Sequence, residues 1–209
     1  MVACAINEKI TNHTALIFSG GQGIGKTSWF EKLLPKPLKP YMYSGNINPS
    51  NKDTLFQMSE NILINMDEIS TFDKNQTEAF KELITRSFIR ERRPYDRFSD
   101  NYTRRASFVG TTNNKEILQD LSGNRRFLII ETLEIDYLHN IDMDRVFAQA
   151  LHLYQSGFEF WFNEEGINLV NEHNEKYRII AKEEEMFIRY FQIPEKDYKN
   201  VDFLTSTEV

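Results

Sequence analysis

Short apolar runs set off by polar punctuation organise the chain. Ala15-Leu-Ile-Phe-Ser19 is apolar without a helical period, which predicts a buried strand. Asn61-Ile-Leu-Ile-Asn-Met66, Ala106-Ser-Phe-Val-Gly110 and Phe127-Leu-Ile-Ile130 read the same way, and Tyr41-Met-Tyr-Ser44 is a shorter candidate. Between them the period changes to that of a helix. Residues 27–34 predict a helix that stops before Pro35, and residues 50–59 a short one with Leu55, Phe56 and Met58 partly buried. Residues 75–86 place Ala79, Phe80, Leu83 and Ile84 on one core-facing stripe. Residues 143–154 predict an amphipathic helix closed by Gly157, and residues 164–191 one or two more, with Trp161 and Phe162 as core or lid packing. Lys36-Pro-Leu-Lys-Pro40 and Gly45-Asn-Ile-Asn-Pro49 are turns or loops by composition. Extended arms around Phe98-Ser-Asp-Asn-Tyr102 predict a β-hairpin.

The polar segments that follow the strands carry the candidate chemistry. Gly20 to Thr27 fits G-x-x-x-x-G-K-[ST], a phosphate-binding loop. Its glycines let backbone N–H groups turn toward a polyphosphate, Lys26 reaches the outer phosphates, and the Thr27 hydroxyl is placed to ligate magnesium. The binding set is Gly20, Gly21, Gln22, Gly23, Ile24, Gly25, Lys26, Thr27 and Ser28, and the cofactors are ATP and magnesium (Mg2+). A glycine-rich turn with a stray lysine is the competing reading, and it leaves the flanking strand and helix as coincidences.

Asp67-Glu68 ends the second apolar run in the Walker B manner, with Asp67 holding magnesium and Glu68 polarising the attacking water. Asn113, after the run that ends in Thr-Thr, is placed to orient that water, the role called sensor 1. Arg125 and Arg126 stand at the mouth of the last strand. Either one can act as an arginine finger, and supplied in trans it would make a neighbouring subunit part of the active site.

Composition narrows the setting. The chain has 209 residues and 40% hydrophobic content, enough for one α/β domain with an appendage. Cys4 is the only cysteine, which fits a reducing, cytoplasmic setting and an inert small residue. No apolar run approaches a membrane span, and the first residues lack the features of a signal peptide. His139, His152 and His173 lack metal-ligand spacing. The net charge of −6 hides an asymmetry: residues 1–130 carry 18 basic and 14 acidic groups, residues 131–209 carry 7 and 17. Seven arginines against three acids fall in residues 86–105. Arg92, Arg93 and Arg97, interleaved with Tyr95, Phe98 and Tyr102, suit single-stranded DNA, where phosphates need cations and bases need flat apolar faces. Contact with a neighbouring subunit, or plain solvation of a hairpin, are the other readings.

The order of these motifs resembles the virulence-associated protein E family, P-loop ATPases of phage, plasmid and genomic-island replication proteins related to superfamily 3 helicases within the AAA+ class. The motifs are Phe18-Ser-Gly-Gly-Gln-Gly-Ile-Gly-Lys-Thr27, Ile64-Asn-Met-Asp-Glu68, Arg92-Arg-Pro-Tyr-Asp-Arg97, Gly110-Thr-Thr-Asn113 and Gly123-Asn-Arg-Arg-Phe127. The resemblance implies an α/β P-loop NTPase sandwich of three layers with a central, mostly parallel five-stranded sheet. It also implies a ring oligomer with ATP between subunits, and a hairpin near residues 91–105 lining a DNA channel. Residues 1–135 are then the ATPase core and residues 136–209 a helical C-terminal segment. The implied activity is that of a helicase motor domain. The alternative is an ATP-binding switch or assembly module that moves no DNA, because the chain begins about a dozen residues before the loop's strand and its C-terminal part is acidic. A small-molecule kinase fits less well, since Asp67, Glu68 and Asn113 suit attack by water.

Overall fold

The apolar runs predicted as strands assemble side by side. The computed structural model describes residues 1–69, 72–93, 97–118, 123–180 and 182–191. Along the chain come α1 (Val2–Ile6), β1 (Ala15–Ser19), α2 (Lys26–Glu31), β2 (Met42–Gly45), α3 (Lys52–Glu60), β3 (Leu63–Met66) and α4 (Lys74–Leu83). Then follow β4 (Phe88–Glu91), β5 (Asp100–Thr103), β6 (Ser107–Thr112), β7 (Phe127–Glu131), α5 (Met143–Gln155), α6 (Glu164–Asn174) and α7 (Lys182–Tyr190). Five strands form a sheet in the order β2-β3-β6-β1-β7, and every pairing in it is parallel. The fold is therefore α/β, with a sheet that is wholly rather than mostly parallel.

A parallel sheet needs cover on both faces, which is why its strands read as continuous apolar runs. Ile17, Ile64, Met66, Phe108 and Ile129 pack with Met58 of α3 and with Phe80 and Leu83 of α4. The alternate positions Phe18, Leu63 and Val109 pack with Phe30 of α2 and with Leu34. Phe30 and Phe80 are completely buried, and each contributes roughly 2–3 kcal/mol by leaving water. Because all five strands run one way, their carboxyl ends share one edge. Ligands of such sheets bind outside that edge.

Three local expectations need correction. The helix after the glycine loop ends at Glu31, three residues short of Leu34. Lys32 and Leu33 bond back to Trp29 and Phe30 as a tightened turn, and Pro35 disfavours helical backbone in the residue before it. The hairpin exists as antiparallel β4 and β5, but its second strand begins at Asp100, inside the expected turn. Ile89 pairs with Tyr102, whose ring meets Phe56 edge-on at 5.5 Å, and this packing draws Asn101 and Tyr102 into a strand. Pro94, Tyr95 and Asp96 lie outside the described residues. Trp161 and Phe162, expected as core or lid packing, are not core: they are 61% and 43% exposed, in the wall of a cavity.

Met1–Arg178 forms one compact unit and Ile179–Val209 a second. In the second, the described helix is α7, with Phe187 stacked on Phe191 at 4.9 Å. Among the described residues no helix is long and apolar enough to cross a membrane.

Candidate functional site

The loops after β1, β3 and β6 meet at the shared carboxyl edge. Residues 20–25 leave β1 and turn into α2, and two of their glycines are required by sterics. A Cβ on Gly20 would sit 2.1 Å from the Thr132 carbonyl oxygen, because the chain leaving β7 passes directly against it. Gly25 has φ +93°, a left-handed backbone that caps α2, and the Tyr137 ring lies against its open side. Gly21, Gln22 and Gly23 form the exposed rim of the loop, while Ile24 reaches back over Gly20. Ser28 is partly covered in the first turn of α2.

Lys26 is buried, and its ammonium donates to the carbonyl oxygens of Gly20 at 2.8 Å and Gly21 at 2.6 Å and to Asn113 Oδ1 at 2.9 Å. Burial pulls its pKa below the ordinary lysine range, while the charges of Glu68 and Asp67 act in the opposite direction. Asn113 in turn donates Nδ2–H to Glu68 Oε2 at 2.8 Å. One amide thus links the ammonium of one loop to the carboxylate of another. This arrangement requires β6 to lie between β1 and β3, as it does.

Beside this relay, Asp67 Oδ1 accepts hydrogen bonds from the Thr27 hydroxyl at 3.1 Å and the Thr111 hydroxyl at 3.0 Å. A hydroxyl and a carboxylate in contact are the sparse protein donor set with which magnesium binds when phosphate and water oxygens complete its octahedron. Among the described residues no cluster of three His, Cys, Asp or Glu side chains forms an all-protein metal cage. Glu68 has φ 54°, the one positive φ among described non-glycine residues. Such a backbone costs of order 1–3 kcal/mol and persists only where its surroundings enforce it.

Arg125 and Arg126 are not part of this cluster. They occupy a short 3-10 turn before β7, whose first residue, Phe127, pairs with Ala15 at the start of β1. The glycine loop leaves the other end of β1, so five residues at about 3.3 Å each, or roughly 16 Å of strand, separate the two. The turn is fixed by Asn174 of α6, wholly buried, whose Nδ2 donates to the carbonyl oxygens of Asn124 at 2.8 Å and Phe127 at 2.7 Å. Both arginines help line a cavity of about 750 Å³, with Leu16, Val109 and Phe160 also in its wall and the glycine loop outside it.

The basic segment divides into buried and exposed arginines. Arg104 is 2% exposed and donates to the carbonyl oxygens of Ala106 at 3.0 Å, Asn12 at 2.7 Å and Ile84, with its guanidinium 5.0 Å from the Phe108 ring centre. Burial lowers its pKa to about 10. Arg105 binds Glu8, and Arg93 binds Glu60 at 2.9 Å while stacking on Tyr102 and Phe56. Arg92 and Arg97 are exposed and have no ion-pair partner among the described residues. Thr111, Asn174 and Arg104 were not singled out by sequence. Thr111 offered a signal, a hydroxyl at the polar end of an apolar run, whereas nothing distinguishes Arg104 from its neighbours before it is seen folded.

No curated protein matches the chain. An A-form apo structure of the NrS-1 C-terminal region aligns with a TM-score of 0.49 at 18% identity, over 90% of this chain and 45% of that one. A second apo structure of the same region gives 0.49 at 15% identity, over 92% and 46%. The chain thus spans less than half the length of these solved structures. Residues 1–179 match the virulence-associated protein E-like domain, and the chain belongs to that family.

Proposed function

We propose that this chain is the magnesium-dependent ATP-hydrolysing part of a DNA replication helicase carried by a phage, plasmid or genomic island, working as a ring on single-stranded DNA. The observation that carries the proposal is the Lys26–Asn113–Glu68 relay alongside the Thr27–Asp67 pair. Membership of the virulence-associated protein E-like family supports the replication setting. The glycine loop cradles the phosphates through its N–H groups, and Lys26 exchanges loop carbonyls for phosphate oxygens. Thr27 and Asp67 hold the magnesium ion, whose contribution is to neutralise charge on the phosphates. Glu68 accepts the proton of the attacking water, and Asn113, already bonded to Glu68, fixes where that water sits. Arg125 and Arg126 lie too far from their own loop to stabilise the transferred phosphoryl group, so they serve the loop of the next subunit.

A second reading, an ATP-gated switch that moves no DNA, draws on the arginines that the fold consumes. Arg93, Arg104 and Arg105 are bound internally, which leaves Arg92 and Arg97 as the hairpin-loop arginines without an ion-pair partner among the described residues. Phosphate release from ATP, measured with and without magnesium and single-stranded DNA, tests both readings. The helicase reading expects magnesium-dependent release that DNA stimulates and that Lys26→Ala removes. Release indifferent to DNA favours the switch, and no nucleotide binding by the parent protein at any concentration overturns both.

A further inference from the structure

The segment that follows β7 has no part in the chemistry described so far, yet it is fastened to the glycine loop. Thr132 donates both its N–H, at 2.7 Å, and its hydroxyl, at 3.1 Å, to the carbonyl oxygen of Ser19, the last residue of β1. Its own carbonyl abuts Gly20. Ile135 packs into the apolar cluster that contains Trp29 and Phe30 of α2. Between these anchors and His139 the chain turns over the loop, with Tyr137 N–H bonded to the Ile135 carbonyl at 3.0 Å. The Tyr137 ring lies on Gly25, where an added Cβ would come within 2.3 Å of its Cδ1, and Tyr137 remains 38% exposed.

Two residues on, the His139 ring meets the Trp29 indole edge-on at 6.2 Å. His139 Nδ1 accepts the Ile141 N–H at 3.3 Å, which in the neutral ring leaves the proton on Nε2. Nε2 is buried with no hydrogen-bond partner among the described residues. A half-open aromatic ring therefore sits on Gly25, next to the end of the loop from which a nucleoside would extend. Such a ring offers a stacking face to a base.

We infer that residues 132–141 form the base subsite of the nucleotide, with Tyr137 as the platform on which the base stacks. This rests on the reading of the glycine loop as a triphosphate site. Binding of ATP and of inorganic tripolyphosphate, both with magnesium, to the parent, Tyr137→Ala and Tyr137→Phe separates the two ideas. Stacking is worth enough that Tyr137→Ala weakens ATP roughly tenfold, while tripolyphosphate binds as in the parent and Tyr137→Phe restores ATP affinity. Equal losses for both ligands would show that Tyr137 only braces Gly25, and unchanged ATP affinity would show that it does not touch the base. Either result overturns the subsite and leaves the triphosphate site standing. Failure of the parent to bind either ligand overturns the triphosphate site and the subsite with it.

Discussion

Glu68 and Asp67 are neighbouring acids that face different partners. The left-handed backbone of Glu68 and its bond to Asn113 hold one carboxylate oxygen in place while Asp67 turns to Thr27 and Thr111. Two adjacent acids thus take different partners because the backbone between them bends. The Glu68→Gln variant is expected to bind ATP as tightly as the parent and to hydrolyse it at least about 100-fold more slowly, as read by single-turnover phosphate release. Turnover at the parental rate would remove Glu68 from the chemistry. Arg104 makes the opposite case, a charged residue that the fold uses entirely for itself. Arg104→Ala strands the carbonyls of Ala106, Asn12 and Ile84 and is expected to cost about 3–4 kcal/mol of stability in urea denaturation, most of it from buried acceptors left unpaired.

His13 gives a pH test at the scale of one residue. Burial, and then the charges of Arg104, Arg126 and Arg125, lower its pKa below 6.5. The unfolded chain therefore binds the proton more tightly than the folded one, so stability is highest above pH 6.5 and falls as the pH drops through the lowered value. His13→Gln should flatten that slope in melting curves taken below pH 6.5. An unchanged slope would assign the acid sensitivity to other groups.

Elements were legible in proportion to how much of their pattern burial alone dictates. The strands of the main sheet read directly from sequence, since strands covered on both faces leave uninterrupted apolar runs such as Ala15-Leu-Ile-Phe and Phe127-Leu-Ile-Ile. The hairpin was harder. Phe98-Ser-Asp-Asn has the composition of a turn, but contacts between Tyr102, Phe56 and Arg93, distant in sequence, decide where β5 begins. The loops of the candidate site were legible as motifs, because each follows a strand. Their linkage through Asn113 was not, because it depends on the strand order. Nor could sequence tell which arginines face outward. Arg92 and Arg97 are exposed in the hairpin loop without an ion-pair partner among the described residues, and replacing both with alanine is expected to lower the salt slope of single-stranded DNA binding by about 1.4, or 0.7 for each lost phosphate contact. Fluorescence anisotropy across a salt series reads this directly, and an unaltered slope would place the DNA elsewhere.

For the whole molecule, the parallel sheet has one decisive consequence. It gathers Lys26, Thr27, Asp67, Glu68 and Asn113 at its carboxyl edge and places Arg125 and Arg126 before the first residue of β7, at the other end. No small adjustment within one subunit closes a gap of about 16 Å. If these arginines take part in catalysis, they do so across a head-to-tail contact, the kind that closes into rings. Hydrolysis per subunit should then climb as protein concentration rises through assembly. The most direct test is to mix two inactive proteins, Glu68→Gln and the double variant Arg125→Ala with Arg126→Ala. Random co-assembly leaves about one contact in four with both an intact Glu68 and an intact arginine pair, so the mixture should regain about a quarter of the parental ATPase rate. A mixture as inactive as its two components would contradict a site shared between subunits.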